Sequence, residues 1–366
     1  MPYIVVNFIG RKGGGALYSY EMTKGIVQNG WSVIAIIPNN IENIEEWKKL
    51  KGCKIITIKG YNDSYFSFLK TVASLLTYER RKIKKACKEF EIRCVYVPMI
   101  QPLTMLINQI FKRKKRIITL HDPLPHKGTH KYLIYLYTKA AKQADDLIVL
   151  SKNFIQYTSN YYGISVDHVH VIPHGIFDNY KQIYKKENKH IYEKDKINFL
   201  FFGRITPYKG LEVLAEAYKK LSNEFDNVFL TIVGSGDFSP YENAYYGLKN
   251  IKIINRWIRD EEVYGFFENS KVITVVPYTE ATQSGVIPIA MACESYVICS
   301  NTGGLAEQVE DGVTGCLIKP GNSEALYLAM KHVVEVGIDQ SVIKNAKKYI
   351  TNLSWDKLAQ QIIEII

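Results

Sequence analysis

The sequence predicts an α/β protein of two doubly wound domains, each a parallel sheet covered by helices on both faces. Three observations carry this expectation. Short, continuous apolar runs alternate with amphipathic segments through both halves of the 366 residues, and such runs suit strands buried on both faces. Two glycine-rich blocks, at 203–210 and 277–315, each follow or contain the end of an apolar run. Between the halves, residues 179–196 are polar and charged without a clear period, as expected of a linker.

In the first half, strands are expected at 3–8, 32–37, 54–58, 94–97, 116–120, 147–150 and 168–172. Helical patterns fall between them at 16–28, at 65–90 as one long segment, at 103–111 and at 130–141. The second half repeats the scheme with strands at 197–202, 228–233, 252–254, 272–276 and 296–299. Domain boundaries are expected at 1–185 and 190–350. The closing segment 351–366 ends in an apolar helix expected to pack back towards the first domain.

The length suffices for two domains with sizeable cores. Cys53, Cys87, Cys94, Cys293, Cys299 and Cys316 form no CxxC pair and mostly lie in or beside apolar runs. They read as reduced core thiols, not a disulfide frame or zinc site. The N-terminus runs directly into a strand with no basic leader, and no apolar run reaches the roughly 18 residues of a membrane span. The expected setting is therefore cytoplasmic, at the inner face of the cell membrane.

Charge is unevenly placed. Residues 1–190 hold 30 Lys and Arg against 14 Asp and Glu, whereas 191–366 hold 17 against 22. The basic half shows no helix-turn-helix, zinc-finger or RNP signature, so nucleic acid is not expected. Its densest runs, 78–85 and 112–116, abut apolar helical stretches, a combination found in helices that lie on anionic membranes. A solvated basic surface is the competing reading. His121, His126 and His130 gather around Pro123 and Pro125 at spacings that match no zinc pattern, so no metal is expected. His168 and His170 alternate with Val169 and Val171 in a strand and read as structural.

The block from Gly203 and Arg204 to Lys209 and Gly210 follows the apolar run 197–202 and opens an amphipathic helix. Backbone N–H groups at a helix start, the helix dipole and two nearby cations together suit an anion. The second block contains Pro277 and Tyr278, then Thr282, Gln283, Ser284 and Gly285, then Gly303 and Gly304, then Asp311 to Gly315. Two such loops suggest a diphosphate held at two places. A nicotinamide enzyme would carry G-x-G-x-x-G after its first strand and an acidic residue ending the second. This chain has Gly10, Gly13, Gly14 and Gly15 at a poor spacing, and Pro38, Asn39 and Asn40.

Taken together, these residues resemble the family 4 glycosyltransferases, of the two-Rossmann-domain architecture called GT-B. The resemblance runs over most of the chain and is strongest in the second half. Gly203 to Gly210 looks like that family's diphosphate turn. Asn255 to Glu262 looks like the stretch whose backbone meets the nucleotide base, and Pro277 to Gly321 resembles the donor-binding core. Gly14, Gly15 and Ala16 are similar to the N-terminal glycine loop, and His121 with Asp122 to the catalytic-histidine position. Val171 to Gly175 is similar to the interdomain motif, with His174 where Asn is more usual.

The resemblance implies two Rossmann-like domains facing across a cleft. It also implies transfer of a sugar from a nucleotide diphosphate sugar to an acceptor, with retention of anomeric configuration. Arg204 and Lys209 would stabilise the leaving diphosphate without a metal, and no Asp-x-Asp occurs in the chain. Many members carry two glutamates eight residues apart; aligned on 290–293, those places hold Ala281 and Ile289, while Glu280 lies one residue early with Pro288 eight further on. The segment Thr282 to Gly285 looks like a recurring variant in which loop N–H groups and the Gln and Ser side chains meet the diphosphate or sugar.

The expected enzyme is a retaining, metal-independent hexosyltransferase of bacterial surface-polysaccharide assembly. It would need no cofactor beyond a donor that is UDP- or GDP-linked, and its acceptor would be a glycan or lipid-linked. The first domain would bind the acceptor and the second the donor. The catalytic residues would be His121, Arg204 and Lys209. Donor binding would use Gly14, Gly15, Gly203, Arg204, Lys209, Trp257, Ile258, Glu280, Thr282, Gln283, Ser284 and Gly285. Asp122 and His174 would face the acceptor or the other domain. The alternatives are a catalytically silent sugar-nucleotide binder of the same fold and a nicotinamide-dependent oxidoreductase.

Overall fold

Apolar runs without polar alternation become strands whose two faces are both covered, and the computed structural model contains two sheets of this kind. It describes residues 2–62, 64–124, 130–176, 180–184, 195–268 and 272–366. The chain divides into one unit that runs to Gly175 and includes Ser354–Ile366, and a second that spans Ile176–Leu353.

The first unit has seven strands: β1 (Tyr3–Asn7), β2 (Ser32–Pro38), β3 (Cys53–Ile58), β4 (Ile92–Val97), β5 (Lys115–Leu120), β6 (Asp146–Val149) and β7 (Val169–Val171). Their order is β3-β2-β1-β4-β5-β6-β7, with every neighbouring pair parallel. The second unit has β8 (Ile197–Phe202), β9 (Val228–Gly234), β10 (Ile251–Asn255), β11 (Val272–Val276), β12 (Tyr296–Ser300) and β13 (Cys316–Ile318). They run β10-β9-β8-β11-β12-β13, again parallel throughout. In both sheets the chain starts in the middle, winds to one edge, then returns to wind the other way. The reversal falls between β1 and β4 in one and between β8 and β11 in the other. Open sheets of this kind take ligands beyond the carboxyl ends of the strands at such a reversal.

Three details differ from the sequence reading. The long helix expected over 65–90 breaks at Thr77 (φ −118°, ψ −92°), which leaves helices Tyr65–Leu76 and Tyr78–Cys87. The segment 103–111 forms only a short helix, Thr104–Asn108, followed by one tighter turn. The three-residue β13 was not anticipated, because a strand that short shows no period. The 179–196 segment lies largely outside the described residues, as does His126.

The closing helix, Trp355–Ile365, buries Leu358, Ala359 and Ile362 and packs on the helix Gly14–Gln28. The approach is close enough that a Cβ at Gly25 would lie 2.4 Å from the Trp355 carbonyl oxygen. Asn29 also donates from Nδ2 to the Asp356 carbonyl at 2.9 Å.

The carboxylate of Asp146 anchors the other end of that helix. It is buried, accepts from His168 Nδ1 at 2.9 Å and His170 Nε2 at 2.8 Å, and lies 3.0 Å from Lys115 Nζ. Lys115 in turn donates to the Ile365 carbonyl. Arg116 grips Asp145 at 3.1 and 3.3 Å. Within the basic run 112–116, Lys112, Arg113 and Lys114 are exposed, while Lys115 and Arg116 are half-buried and hold the fold.

Burial works against ionisation of Asp146, but the hydrogen bonds from His170, His168 and Lys115 outweigh it and hold the carboxyl below its ordinary 3.8. A carboxyl depressed in this way contributes its stability in full above the unfolded value and loses it as pH falls through the folded one. Asp146→Asn should lower the melting temperature at neutral pH, by about 2–4 °C for each kcal/mol lost. The gap to wild type should close below about pH 4. Equal melting temperatures at neutral pH would show that the cluster holds nothing.

Candidate functional site

In the second unit, the loops after β8 and β11 meet at the sheet reversal. Gly210 has φ +69°, and a Cβ there would sit 1.9 Å from the Pro277 carbonyl oxygen, so only glycine allows this contact. Thr279 N–H then donates to the Tyr208 carbonyl at 2.9 Å. A third loop joins through Gly303 (φ +50°), whose missing Cβ would lie 1.8 Å from the Ala281 carbonyl oxygen. Gly203 is fixed to the neighbouring strand by its N–H, which donates to Val233 at 2.9 Å. The helix Leu211–Glu224 starts directly after Gly210, so its unpaired N–H groups and positive dipole end lie at this junction.

The side chains collected here are cationic and polar. Lys209 Nζ stands 3.5 Å from the centroid of Tyr278 and 5.0 Å from that of Tyr208, whose ring meets Tyr278 edge-on. Tyr278 is buried, and desolvation pushes its hydroxyl above the usual tyrosine range, so the ring stays neutral beneath the ammonium. Such a pair is worth roughly 0.5–2 kcal/mol and restricts the position of the ammonium. Arg204 and Glu280 are exposed, and Thr282 is buried. Thr206 Oγ1 and Gln283 Oε1 are buried without a hydrogen-bond partner among the described residues.

Ser284 is held by hydrogen bonds at its backbone and its hydroxyl. Its N–H donates to Gln308 Oε1 at 2.8 Å, its carbonyl accepts from Gln308 Nε2 at 2.9 Å, and its hydroxyl accepts from Val286 N–H at 3.2 Å. These contacts fix the loop that ends at Gly285, the residue before helix Val286–Ala292. Gln308, 24 residues away, is the partner that sequence inspection misses, because no motif marks it.

The stretch 255–262 is held by its own ion pairs. Arg256 meets Glu262 through both nitrogens, at 3.0 and 2.6 Å, while Arg259 N–H and Nε reach Glu262 Oε2 at 3.1 and 3.2 Å. The Arg256 hydrogen bonds lead in drawing the buried Glu262 carboxyl down to about 2, against the pull of burial. This clamp presents Trp257, which is 54% exposed, and tucks in Ile258.

The first unit gathers a second set at its own reversal. A Cβ at Gly15 would lie 2.5 Å from Met99 Sδ, just past β4, whereas one at Gly14 would meet nothing within 4 Å. Gly13 N–H is taken by Glu42 at 2.5 Å. His121, just past β5, hydrogen-bonds from Nε2 to the Pro98 carbonyl at 3.0 Å, with exposed Asp122 beside it. The Tyr18 ring stands edge-on to His121 at 4.4 Å and to Trp355 at 5.2 Å. His174 joins them, 5.4 Å from Tyr18 and 6.3 Å from His121, with Nδ1 bonded to the Gly175 carbonyl at 2.7 Å. Neither Tyr18 nor Trp355 stood out in the sequence, since no motif marks either.

Burial lowers the pKa of His121 against the opposing pull of Asp122, and lowers that of His174 to about 4, helped by His121 beside it. Both rings are therefore neutral near pH 7. A histidine with a depressed folded pKa loses stability as pH falls, because the unfolded chain takes up a proton first. Unfolding free energy should drop between the ordinary value of 6.5 and about 4. His174→Asn should flatten that slope in denaturant titrations. An unchanged slope would place the titration elsewhere.

Both halves of the chain are similar to known glycosyltransferases. Residues 12–179 match the model described as Glycosyltransferase Family 4, and residues 196–335 match that described as Glycosyl transferases group 1. An uncharacterised glycosyltransferase of Methanocaldococcus jannaschii is 26% identical over 96% of this chain and 94% of its own length. The lipopolysaccharide 1,2-N-acetylglucosaminetransferase of Salmonella typhimurium is 27% identical over 47% of this chain and 48% of its own. Among solved structures, Anabaena HepE in complex with UDP and glucose superposes with a TM-score of 0.71 at 18% identity, over 100% of this chain and 99% of that one. The match of both halves to these family models, on two sheets of GT-B type, shows that the chain belongs to the family 4 glycosyltransferases.

Proposed function

We propose that the chain moves a hexose-type sugar from a UDP- or GDP-linked donor to a glycan or lipid-linked acceptor in bacterial surface-polysaccharide assembly. The reaction would retain anomeric configuration and use no metal ion. The observation that carries this reading is the seat of Lys209 over Tyr278, beside Arg204, at the start of the Leu211–Glu224 helix. The relatives support it: HepE was solved with UDP and glucose, and the Salmonella relative is named for lipopolysaccharide.

As the bond between sugar and diphosphate breaks, charge accumulates on the leaving phosphate oxygens. Lys209, Arg204 and the N–H groups after Gly210 stabilise that charge more in the transition state than in the bound donor. Gly203, Thr282 and Gly285 shape the phosphate loop. Trp257 and Ile258 meet the base. Gln283 Oε1, buried and unsatisfied, accepts from a donor hydroxyl, and Glu280 stands at the loop's exposed edge. His121, Gly14 and Gly15 are assigned to the donor sugar, and Asp122 and His174 to the acceptor side. The first unit binds the acceptor. No described helix is long and apolar enough to cross a membrane, so work at the inner face of the cell membrane would be peripheral. A binder without turnover is the other reading, and product release from donor and acceptor separates the two.

Arg204→Ala and Lys209→Ala should each lower kcat about ten- to a hundredfold or more while the melting temperature holds, since each removes a charge-assisted contact of roughly 1.5–3 kcal/mol. Wild-type turnover at saturating donor would put the diphosphate elsewhere. Gln283→Ala should damage transfer more than Glu280→Ala. The reverse order would make Glu280 the displaced catalytic carboxylate.

A further inference from the structure

Thr282 and Gln283 are strung between two anchors, and both anchors come from the 303–308 segment. At one end the Gly304 N–H donates to the Ala281 carbonyl at 3.3 Å, an approach open only because Gly303 lacks a Cβ. At the other end the Gln308 amide takes both backbone groups of Ser284, its Oε1 accepting at 2.8 Å and its Nε2 donating at 2.9 Å. A primary amide used in this way copies the donor and acceptor that a neighbouring strand offers. Between these anchors stands Gln283, with Oε1 buried and without a partner among the described residues.

Gln308 is itself held. It ends the short helix Leu305–Gln308, flanked by Leu305 and Val309, which are both buried. The Val309 N–H donates to the Leu305 carbonyl at 3.2 Å. The Tyr349 hydroxyl, from the helix Gln340–Ile350, donates to the Glu307 carbonyl at 3.1 Å. The cations are seated by other ties. Lys209 rests on Tyr278, Gly210 on the Pro277 carbonyl, and the Thr279 N–H on the Tyr208 carbonyl. All of these reach the loop before Ala281.

We propose that Gln308 is a positioning residue for the donor sugar. By fixing Ser284 it sets the place of Gln283 Oε1, and it leaves the seat of the diphosphate untouched. The inference deepens the proposed function and rests on it for the ligand. It divides the donor site into two separately braced parts, so that damage to Gln308 falls on recognition of the sugar alone.

The test uses the full chain and two variants. Gln308→Met keeps the length of the side chain and removes both hydrogen bonds. Gln308→Glu keeps an acceptor for the Ser284 N–H and loses the donor. The probes are UDP and GDP, and the sugar nucleotides UDP-glucose, UDP-N-acetylglucosamine and GDP-mannose. In Gln308→Met, kcat/KM with the sugar nucleotide that wild type uses best should fall about ten- to a hundredfold, as expected for one or two lost hydrogen bonds. Affinity for the free diphosphate should stay within about twofold. Gln308→Glu should lie between this variant and wild type. Adding Gln283→Ala to Gln308→Met should cost little more than either change alone, because one acts through the other. Wild-type kinetics in both variants overturn the proposal, as does an equal loss of affinity for diphosphate and sugar nucleotide. Fully additive effects of Gln283→Ala and Gln308→Met overturn it too. Failure of wild type to bind any of the five nucleotides would sink the transferase reading itself, and this inference with it.

Discussion

The seat of Lys209 on Tyr278 depends on two backbones approaching more closely than any side chain allows. Gly210 lies against the Pro277 carbonyl, which brings the loop after β8 onto the loop after β11 and places the ammonium over a buried ring. Pairing with a π face keeps the charge whole and restricts its position, which is what binding a phosphate requires. Gln308 serves the same end from another direction. By holding both backbone groups of Ser284, it fixes the loop from which Gln283 and Thr282 extend.

The first unit meets the opposite requirement. His121 and His174 are kept neutral by burial among Tyr18 and Trp355, and Trp355 comes from the far end of the chain. The closing helix is therefore more than a lid on the core. Its first residue packs against His174, and its last turn is tied to Asp146 through Lys115. A neutral imidazole can accept or donate a proton and adds no fixed positive charge to its surroundings.

Both sheets were legible because strands such as Ile197–Phe202 are continuous apolar runs that no helix period explains. The glycine blocks were legible because Gly203, Gly210 and Gly303 mark turns that few other residues can make. What the sequence concealed was long-range pairing. Nothing local shows that Arg116 and Lys115 face Asp145 and Asp146 across a parallel strand pair, so a basic run looked like a free surface. Nothing local assigns Gln308 to Ser284. The break at Thr77 was hidden because apolar and basic segments continue one another without glycine or proline. It turns one expected helix into two with opposite outer faces.

The central claim is that the second unit recognises a diphosphate, and that the cations and N–H groups after β8 carry the recognition. Calorimetric titration of the whole chain with UDP and GDP, and with uridine and guanosine, tests it directly. At least one diphosphate should bind, about a hundredfold or more tighter than its nucleoside, a difference of roughly 2.7 kcal/mol. That difference should shrink as salt rises. Equal affinity for a diphosphate and its nucleoside would contradict the account.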